Sequence, residues 1–381
     1  MKTEEACVIL QNAITEGASR QNVSFDRYVS ELIGYSSVYL YGAGAFGREM
    51  LSLLVDRGIH VKCFLDQNAS TIRTHVGLPV LLPISPELSA SAKRYSTVVV
   101  SIVLSDNERK AVFKSLNSLG FPSVVDGQSI RAWNVPFAGV SFQTDYNDEA
   151  WISSMKTTLS LFSDDSSREV YTKNLAAHFR RDYSFYGSSA SSRQYFPQDV
   201  PLSNDHNRFI DCGAYTGDTL VDLMQVAGAV ESYVGFEPEM SKFHKLVSTA
   251  NALIEKPKQM FLFPCAITHE NRSSCITTKE GSSTLSESGE SITQVVCIDD
   301  VLHGFKPTFI KMDIEGAEMD ALRGARQTIQ TSLPDLAICV YHNISDYFEI
   351  PLLIHSMNPK YKFYLRAHSS CTMETVLYAT N

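Results

Sequence analysis

One stretch of the chain, residues 209–219, restricts the possible folds more than any other. It reads FIDCGAYTGDT: a short apolar run ends in Asp211, and Gly213 and Gly217 follow before a helical pattern opens at Asp218. This pattern predicts a β-strand that leads through a tight turn into a helix. Glycine lets the backbone approach a ligand, and the N-terminus of a helix suits an anionic group. The stretch therefore predicts an α/β site for a nucleotide-like ligand, with an ordinary glycine-rich turn as the alternative.

Length and composition limit the class of protein. A chain of 381 residues predicts two or three domains. The net charge is −9 and there is no run of Lys and Arg, which disfavours a nucleic-acid partner. No apolar run has the length of a membrane span and the N-terminus does not resemble a signal peptide, so we expect a cytoplasmic protein. The eight cysteines contain no C-x-x-C pair, which indicates neither a zinc site nor a disulfide framework.

A second glycine motif lies near the N-terminus. The apolar residues 38–41 predict a strand, Gly42, Gly44 and Gly47 form a G-x-G-x-x-G, and the next predicted strand ends in Asp66. A strand before the motif, a helix after it and an acid about 20 residues further on are typical of a Rossmann-like nucleotide site. The alternative is a domain that has lost its ligand and serves for docking.

Alternating strand and helix patterns predict an α/β protein with two Rossmann-like, doubly wound domains. We expect a helical segment at 1–34, a nucleotide-binding-type domain at 35–135, a helical connector at 136–204 and a second α/β domain at 205–381. Tyr195 follows the serine-rich run of this connector. It either fills the start of the second domain or covers its cleft.

The second domain continues with strands that end in polar residues. The strand 233–236 ends in Glu237, 20 residues beyond the last glycine of the loop, the spacing at which an acid reaches a ribose. The strand predicted over 259–267 places Ala266 near the expected adenine. Residues 273–296 read as an inserted β excursion, and one helix is predicted over 316–329.

Two later strands bring further polar groups to the same edge. The strand 308–312 ends in Asp313, with Glu315 shortly after it, and the strand 336–341 ends in His342. The carboxyl ends of parallel strands meet at one edge of a sheet, so we expect these side chains to lie together. A closing antiparallel hairpin follows at the C-terminus.

Five motifs occur in an order that resembles one known family. They are IDCGAYTGDT, GFEPE, IKMDIEGAE, VYH and LRAHSSCTMETVLYA, and with QYF before the first strand they cover about residues 190–381. This part resembles the FkbM family of methyltransferases. The resemblance implies a class I methyltransferase fold and S-adenosylmethionine as the donor. It also implies O-methylation of a sugar hydroxyl in glycan, polysaccharide or natural-product biosynthesis.

The resemblance also implies which residues bind the donor. It implies that the methionine end is lined by Asp211, Gly213 and Gly217 and that Glu237 holds the ribose. To these we add Ala214, Asp218, Ala266 and Tyr195. Separately, residues 38–82 resemble the nucleotide-sugar-binding domain of bacterial sugar acyltransferases. That resemblance implies a nucleotide or nucleotide-sugar at the first glycine motif, and a small-molecule or carrier-linked sugar as the acceptor.

A hydroxyl group needs help to attack a methyl group, and two arrangements supply it. His342 acts as a general base oriented by Asp313 or Glu315, or these three residues share a divalent metal such as Mg²⁺ that acidifies the hydroxyl. Lys311 alternates with Asp313 and is either its ion-pair partner or a catalyst. Glu318 reads as a favourable charge near a helix start.

Two other classes of function are considered. An NAD(P)-dependent sugar oxidoreductase or epimerase would use the first glycine motif, but the first domain has no Y-x-x-x-K pair. A non-catalytic nucleotide-sugar-binding scaffold predicts a degenerate donor site, whereas the acid–glycine–acid set of the second domain is intact. The sequence favours the methyltransferase and leaves metal dependence and oligomeric state open.

Overall fold

The predicted α/β class is confirmed by a computed structural model of the chain. The structure describes residues 1–20, 25–34, 37–104, 106–134, 148–183, 193–279, 282–286, 289, 291–369 and 372–381. The strands in these ranges form three sheets, two of them mainly parallel. Helices follow most of the parallel strands, so the central strands are buried on both faces and read as apolar runs.

The first sheet contains the strand that precedes the N-terminal glycine motif. Its strands are β1 (Ser37–Tyr41), β2 (Val61–Leu65), β3 (Thr74–His75), β4 (Leu78–Leu81), β5 (Ser96–Val100) and β6 (Ser123–Asp126). They lie in the order β3-β4-β2-β1-β5-β6, parallel except that β3 runs antiparallel to β4. The chain leaves β1 toward β2 on one side and returns to β5 on the other, which makes the end of β1 a topological switch point.

The seven-stranded sheet carries the motifs of the C-terminal half. Its strands are β7 (Arg208–Cys212), β8 (Ser232–Phe236), β9 (Gln259–Phe263), β14 (Phe309–Met312), β15 (Asp335–Cys339), β16 (Lys362–Ala367) and β17 (Thr375–Thr380). Their order is β16-β17-β15-β14-β7-β8-β9, and β17 is antiparallel to both of its neighbours. The switch point lies between β7 and β14, so the loops after these two strands border one crevice.

A four-stranded sheet contains the predicted β excursion. Its strands are β10 (Cys265–Thr268), β11 (Arg272–Lys279), β12 (Ser282–Ser286) and β13 (Ser291–Cys297). β11 is antiparallel to both β12 and β13, whereas β10 and β13 are parallel. The excursion is therefore a separate small sheet joined to the larger one through β10.

The helices of the described residues connect and cover these sheets. They are α1 (Thr3–Arg20), α2 (Phe25–Ile33), α3 (Ala45–Val55), α4 (Ala90–Arg94), α5 (Asp106–Ser118), α6 (Gly127–Asn134), α7 (Glu149–Leu161), α8 (Asp165–Arg180), α9 (Asp218–Ala227), α10 (Met240–Ala252), α11 (Ile298–Val301), α12 (Glu318–Arg323), α13 (Arg326–Ser332) and α14 (Asp346–Met357). Buried residues of α1, α7 and α8 share one hydrophobic core with the seven-stranded sheet.

Polar contacts join the connector to helices of the N-terminal part and to the seven-stranded sheet. Tyr183, just after α8, donates its backbone N–H to Ser129 of α6 and accepts a hydrogen bond from Arg109 of α5 at its carbonyl oxygen. On the other side, the buried Arg366 of β16 forms ion pairs of 2.7 Å with Asp164 and 2.6 Å with Asp199. Tyr183 after α8 therefore contacts helices α5 and α6 of the N-terminal part, and Asp164 before α8 contacts β16 of the seven-stranded sheet.

The strand predicted over 259–267 is wrong in one respect, because it is two strands in different sheets. Pro264 separates β9 from β10 and has no N–H group to continue the ladder with β8. The chain then leaves the large sheet, and Ala266 pairs with Val295 of β13.

The single helix predicted over 316–329 is also wrong, because α12 and α13 are separate. A Cβ on Gly324 would lie 2.1 Å from the carbonyl oxygen of Thr268, so the chain between the two helices packs directly on the end of β10. The carboxylate of Asp299 accepts hydrogen bonds from the N–H groups of Gln327 and Thr328 and caps the second helix.

Two findings concern membranes and thiols. No helix in the described part of the chain combines the length and the apolar composition needed to cross a membrane. The described cysteines are free thiols, and Cys371 lies outside the described residues.

Candidate active site

The glycine-rich loop after β7 is shaped by packing against its neighbours. Gly213 and Gly217 have φ values of +87° and +91°, which favour glycine. A Cβ on Gly213 would lie 1.9 Å from the carbonyl oxygen of Asp313, and one on Gly217 would lie 3.0 Å from Thr249. Both glycines are therefore required by backbone conformation and by neighbouring protein atoms, a reason that differs from the ligand approach expected from the sequence.

The acid of this loop, Asp211, forms a buried ion pair. Its Oδ1 atom lies 3.0 Å from Nζ of Lys311, and its Oδ2 atom accepts a 2.7 Å hydrogen bond from Tyr233. Nζ of Lys311 also donates to the carbonyl oxygen of Gly213 at 2.6 Å. Burial alone would lower the pKa of Lys311, but the nearby carboxylates raise it above its usual value, so the ammonium stays charged. Lys311 is thus the ion-pair partner of Asp211 and holds the loop.

A buried carboxylate lies at the end of β8. Glu237 is 5% exposed, and its two oxygens accept hydrogen bonds from the N–H groups of Tyr215 and Glu239, at 3.1 and 2.8 Å. Tyr215 adopts a φ of +47°, which is uncommon for a residue with a Cβ. Burial raises the pKa of Glu237 to about 7, and the two backbone hydrogen bonds and Lys242 counteract only part of that shift.

A cavity of about 280 Å³ opens at the carboxyl edge of the large sheet. Eight of the predicted residues line it, and these are Tyr195, Gly213, Asp218, Glu237, Ala266, Lys311, Asp313 and Glu315. The other predicted residues of this domain are not part of the lining, namely Asp211, Ala214, Gly217 and His342. The cavity therefore joins the predicted donor residues to the predicted acceptor-side residues.

The β excursion contributes one wall of this cavity. Ile276 of β11 and Leu285 of β12 line it, together with Ala266 of β10. The sequence identified the excursion but assigned it no function. Its alternating strands gave no indication of which face would meet the site, because that depends on the break at Pro264.

His342 lies among three carboxylates. Its Nδ1 atom is 3.0 Å from Oε1 of Glu318, and its Nε2 atom is 3.6 Å from both Oδ1 of Asp313 and Oε2 of Glu315. The ring is 3% exposed. Burial alone would lower the pKa of His342, but Glu318, Asp313 and Glu315 together raise it to about 10. With no other cation present, the ring keeps its proton at neutral pH.

Two tyrosines fix the position of Asp313. The hydroxyl of Tyr195 donates to Oδ2 at 2.8 Å, and the hydroxyl of Tyr341 donates to Oδ1 at 3.3 Å. Burial alone would raise the pKa of Asp313, but Lys311 and His342 hold it below its usual value. Tyr195 therefore contacts the acceptor side as well as the cavity in which the donor residues lie.

Sequence reasoning missed several members of this site. Glu318 is fully buried against His342 and is not merely a charge near a helix start. The side-chain amide of Gln194 donates to the Tyr195 hydroxyl at 2.9 Å and to Glu374 at 2.5 Å, and both Gln194 and Glu374 line the cavity. Glu318 follows Asp313 within the motif IKMDIEGAE. Gln194 and Glu374 lie in the motifs QYF and LRAHSSCTMETVLYA, but no role was assigned to either of them from the sequence.

The N-terminal glycine motif forms a tight turn. Gly42 has a φ of +116°, and a Cβ on Gly47 would lie 2.1 Å from the Gly42 carbonyl oxygen, whereas the Cβ position of Gly44 is open. The two oxygens of Asp66 accept hydrogen bonds of 2.8 Å from the N–H groups of Ala43 and Asn68. Asp66 thus supports the turn, and a nucleotide site formed by Gly42, Gly44, Gly47 and Asp66 stays a prediction.

An acid–glycine loop, a buried carboxylate one strand further on and a shared cavity at a switch point are the features that the motifs predict for a methyltransferase. Residues 211–363 match the family model described as the methyltransferase FkbM domain. The chain therefore carries a methyltransferase domain of the FkbM family, as its motifs predicted. A transferase of this kind needs a methyl donor and an acceptor molecule.

The fold is similar to that of a solved structure. The methyltransferase FkbM from Methylobacillus flagellatus aligns with a TM-score of 0.74 over 98% of this chain and 100% of its own, at 21% identity. At this identity the likeness concerns the fold alone, and it extends over both large sheets. No curated protein matches the chain.

Proposed function

We propose that this chain is an S-adenosylmethionine-dependent methyltransferase that O-methylates a sugar hydroxyl in glycan, polysaccharide or natural-product biosynthesis. The observation that carries the proposal is the shared cavity, which Glu237 and Asp313 both line. Ligands of such sheets bind at the carboxyl ends of the strands. One cavity that reaches both groups lets donor and acceptor meet in the alignment that methyl transfer requires.

The residues on the donor side fit S-adenosylmethionine. Glu237 is a buried carboxylate on the cavity wall, and ribose hydroxyls would supply the donors that such a group needs. Gly213, Asp218 and Ala266 line the same part, and we assign them to binding the donor. When bound, S-adenosylmethionine supplies a methyl group on a positively charged sulfur that is already activated for displacement. Lys311, on the cavity wall, and its ion-pair partner Asp211, which is not part of the lining, hold the loop.

The acceptor side suits a neutral polyol. Asp313, Glu315 and Glu374 line it and accept hydrogen bonds from hydroxyl groups. The lysines of the cavity wall are engaged in ion pairs, Lys311 with Asp211 and Lys242 with Glu239. An excess of carboxylates disfavours an anionic group next to the reacting hydroxyl, so a sugar ring fits better than a phosphate.

The proposed function also implies how the chain is divided into domains. We assign 35–135 and 205–381 to two Rossmann-like domains, the second a class I methyltransferase fold closed by the β16–β17 hairpin. The remaining residues, 1–34 and 136–204, are the helical segment and the connector. Two separate switch points support this division, one after β1 and one between β7 and β14.

Calorimetry with the purified chain tests the donor assignment. We expect S-adenosylmethionine and S-adenosylhomocysteine to bind with one-to-one stoichiometry. We also expect mass spectrometry to detect an added methyl group, 14 mass units by its chemical formula, on at least one member of a panel of free and nucleotide-linked sugars. A chain that binds neither donor nor product would overturn the proposal.

The pH dependence of product binding reports on Glu237. Its pKa is about 7 in the free protein, so below pH 7 it is protonated and no longer accepts hydrogen bonds from two ribose hydroxyls. We expect the affinity for S-adenosylhomocysteine to fall as the pH drops through 7, by about tenfold per unit below it. The Glu237→Gln variant, which does not titrate, should show no such dependence. A pH-independent affinity in the wild type would contradict the ribose role.

A further inference from the structure

The cluster around His342 contains more negative charge than the protein itself balances. Asp313, Glu318 and His342 each offer a ligand atom, and these atoms lie within 4.8 Å of one another. Glu315 is next to them, 3.6 Å from the imidazole. The two lysines of the cavity wall are paired elsewhere, Lys311 with Asp211 and Lys242 with Glu239. Carboxylates that leave water need a cation or hydrogen-bond donors in return.

The hydrogen bonding of the buried atoms points independently to a missing ligand. His342 is 3% exposed, yet neither of its ring nitrogens has an aligned hydrogen-bond partner among the described residues. Oε1 of Glu318 accepts a 2.8 Å hydrogen bond from the N–H of Ile314, but its Oε2 atom has no donor in the described part of the chain. Unpaired buried polar atoms are rare in folded proteins and call for an ion or a water.

We propose that Asp313, Glu318 and one ring nitrogen of His342 bind a divalent cation at the edge of the cavity. The set differs from the one expected from the sequence, because Glu318 replaces Glu315. Asp313 lines the cavity, so a cation held by Asp313 would be within reach of an acceptor in the cavity. Glu315, which also lines the cavity, adds negative charge beside this open side.

The ligand chemistry selects the class of cation. Carboxylate oxygens suit Mg²⁺, Ca²⁺ and Mn²⁺, whereas imidazole suits first-row transition metals. A site with two carboxylates and one imidazole therefore favours Mn²⁺ or a similar transition-metal ion over Ca²⁺. Binding of the cation does not depend on the proposed function. The role of the cation rests on that function: it would make a bound acceptor hydroxyl more acidic, and the hydroxyl proton would pass to water in the open cavity.

Manganese binding to the full chain, after removal of metals with a chelator, tests the site. We expect one Mn²⁺ per chain by calorimetry and loss of the free-ion signal in electron paramagnetic resonance, with nitrogen coupling from His342. Asp313→Asn, Glu318→Gln and His342→Gln should each weaken binding at least about tenfold. Asp313 is partly exposed, so its variant tests the site even where a buried replacement unfolds the protein.

Asp320→Asn is the matched control, because Asp320 lies on the same helix as Glu318 but pairs with Arg323 at the surface. It should bind Mn²⁺ like the wild type. Absence of Mn²⁺ binding, or binding that Asp313→Asn and Glu318→Gln leave unchanged, would overturn the site. S-adenosylhomocysteine affinity is measured on the same samples. Product binding without Mn²⁺ binding rejects the cation site alone, whereas Mn²⁺ binding without product binding rejects the proposed function alone.

Discussion

The Lys311→Met variant is expected to lose about 3–5 kcal/mol of its free energy of unfolding. Lys311 is 2% exposed, and its ammonium lies between the Asp211 carboxylate and the Gly213 carbonyl oxygen. Methionine fills a similar volume but leaves the carboxylate of Asp211 buried without its counter-charge, with a hydrogen bond from Tyr233. Urea denaturation followed by tryptophan fluorescence measures the loss, since Trp151 packs against the core of the large sheet.

Two further variants show whether the ion pair is the cause. Lys245→Met makes the same chemical change at an exposed position of α10 and should alter the free energy of unfolding by less than about 0.5 kcal/mol. The double variant Asp211→Asn with Lys311→Met removes both charges and should be more stable than Lys311→Met alone. If Lys311→Met proves as stable as the surface control, the pair does not hold the loop.

The positions of the site residues could be predicted from the sequence because these residues follow local patterns. Apolar runs that end in Asp211, Glu237, Asp313 and His342 are strands whose last residues turn polar, and each of these strands is present in the large sheet. The carboxyl ends of neighbouring parallel strands must meet at one edge. The local sequence was therefore enough to predict that these side chains lie around one crevice.

The hydrogen-bond or ion-pair partner of each side chain could not be predicted from the sequence in the same way. Lys311 was expected to be either the ion-pair partner of Asp313 or a catalyst, but β14 and β7 are neighbours in register and Lys311 lies directly opposite Asp211. Glu318 reaches His342 only because the turn after β14 directs the first residue of α12 inward. Such pairings depend on strand order and on how a turn closes, which a local pattern does not specify.

The Glu237→Gln variant is expected to lose on the order of 100-fold in affinity for S-adenosylhomocysteine. A hydrogen bond to a charged group contributes about 1.5–3 kcal/mol, and about 1.4 kcal/mol corresponds to tenfold. The carboxylate already accepts the N–H groups of Tyr215 and Glu239, one on each oxygen. A glutamine keeps one acceptor oxygen and turns an N–H group toward one of these donors, so the ribose loses both the charge and an acceptor.

Calorimetry at pH 8 measures this loss where the wild-type carboxyl is ionised, and a thermal melt of each protein separates lost binding from lost folding. Glu255→Gln is the control, because Glu255 is exposed and does not line the cavity. Its affinity should equal that of the wild type. A Glu237→Gln protein that melts like the wild type and still binds with wild-type affinity would show that the ribose lies elsewhere. Glu237 would then only accept the backbone hydrogen bonds of Tyr215 and Glu239, and the donor-binding side of the cavity would have to be reassigned.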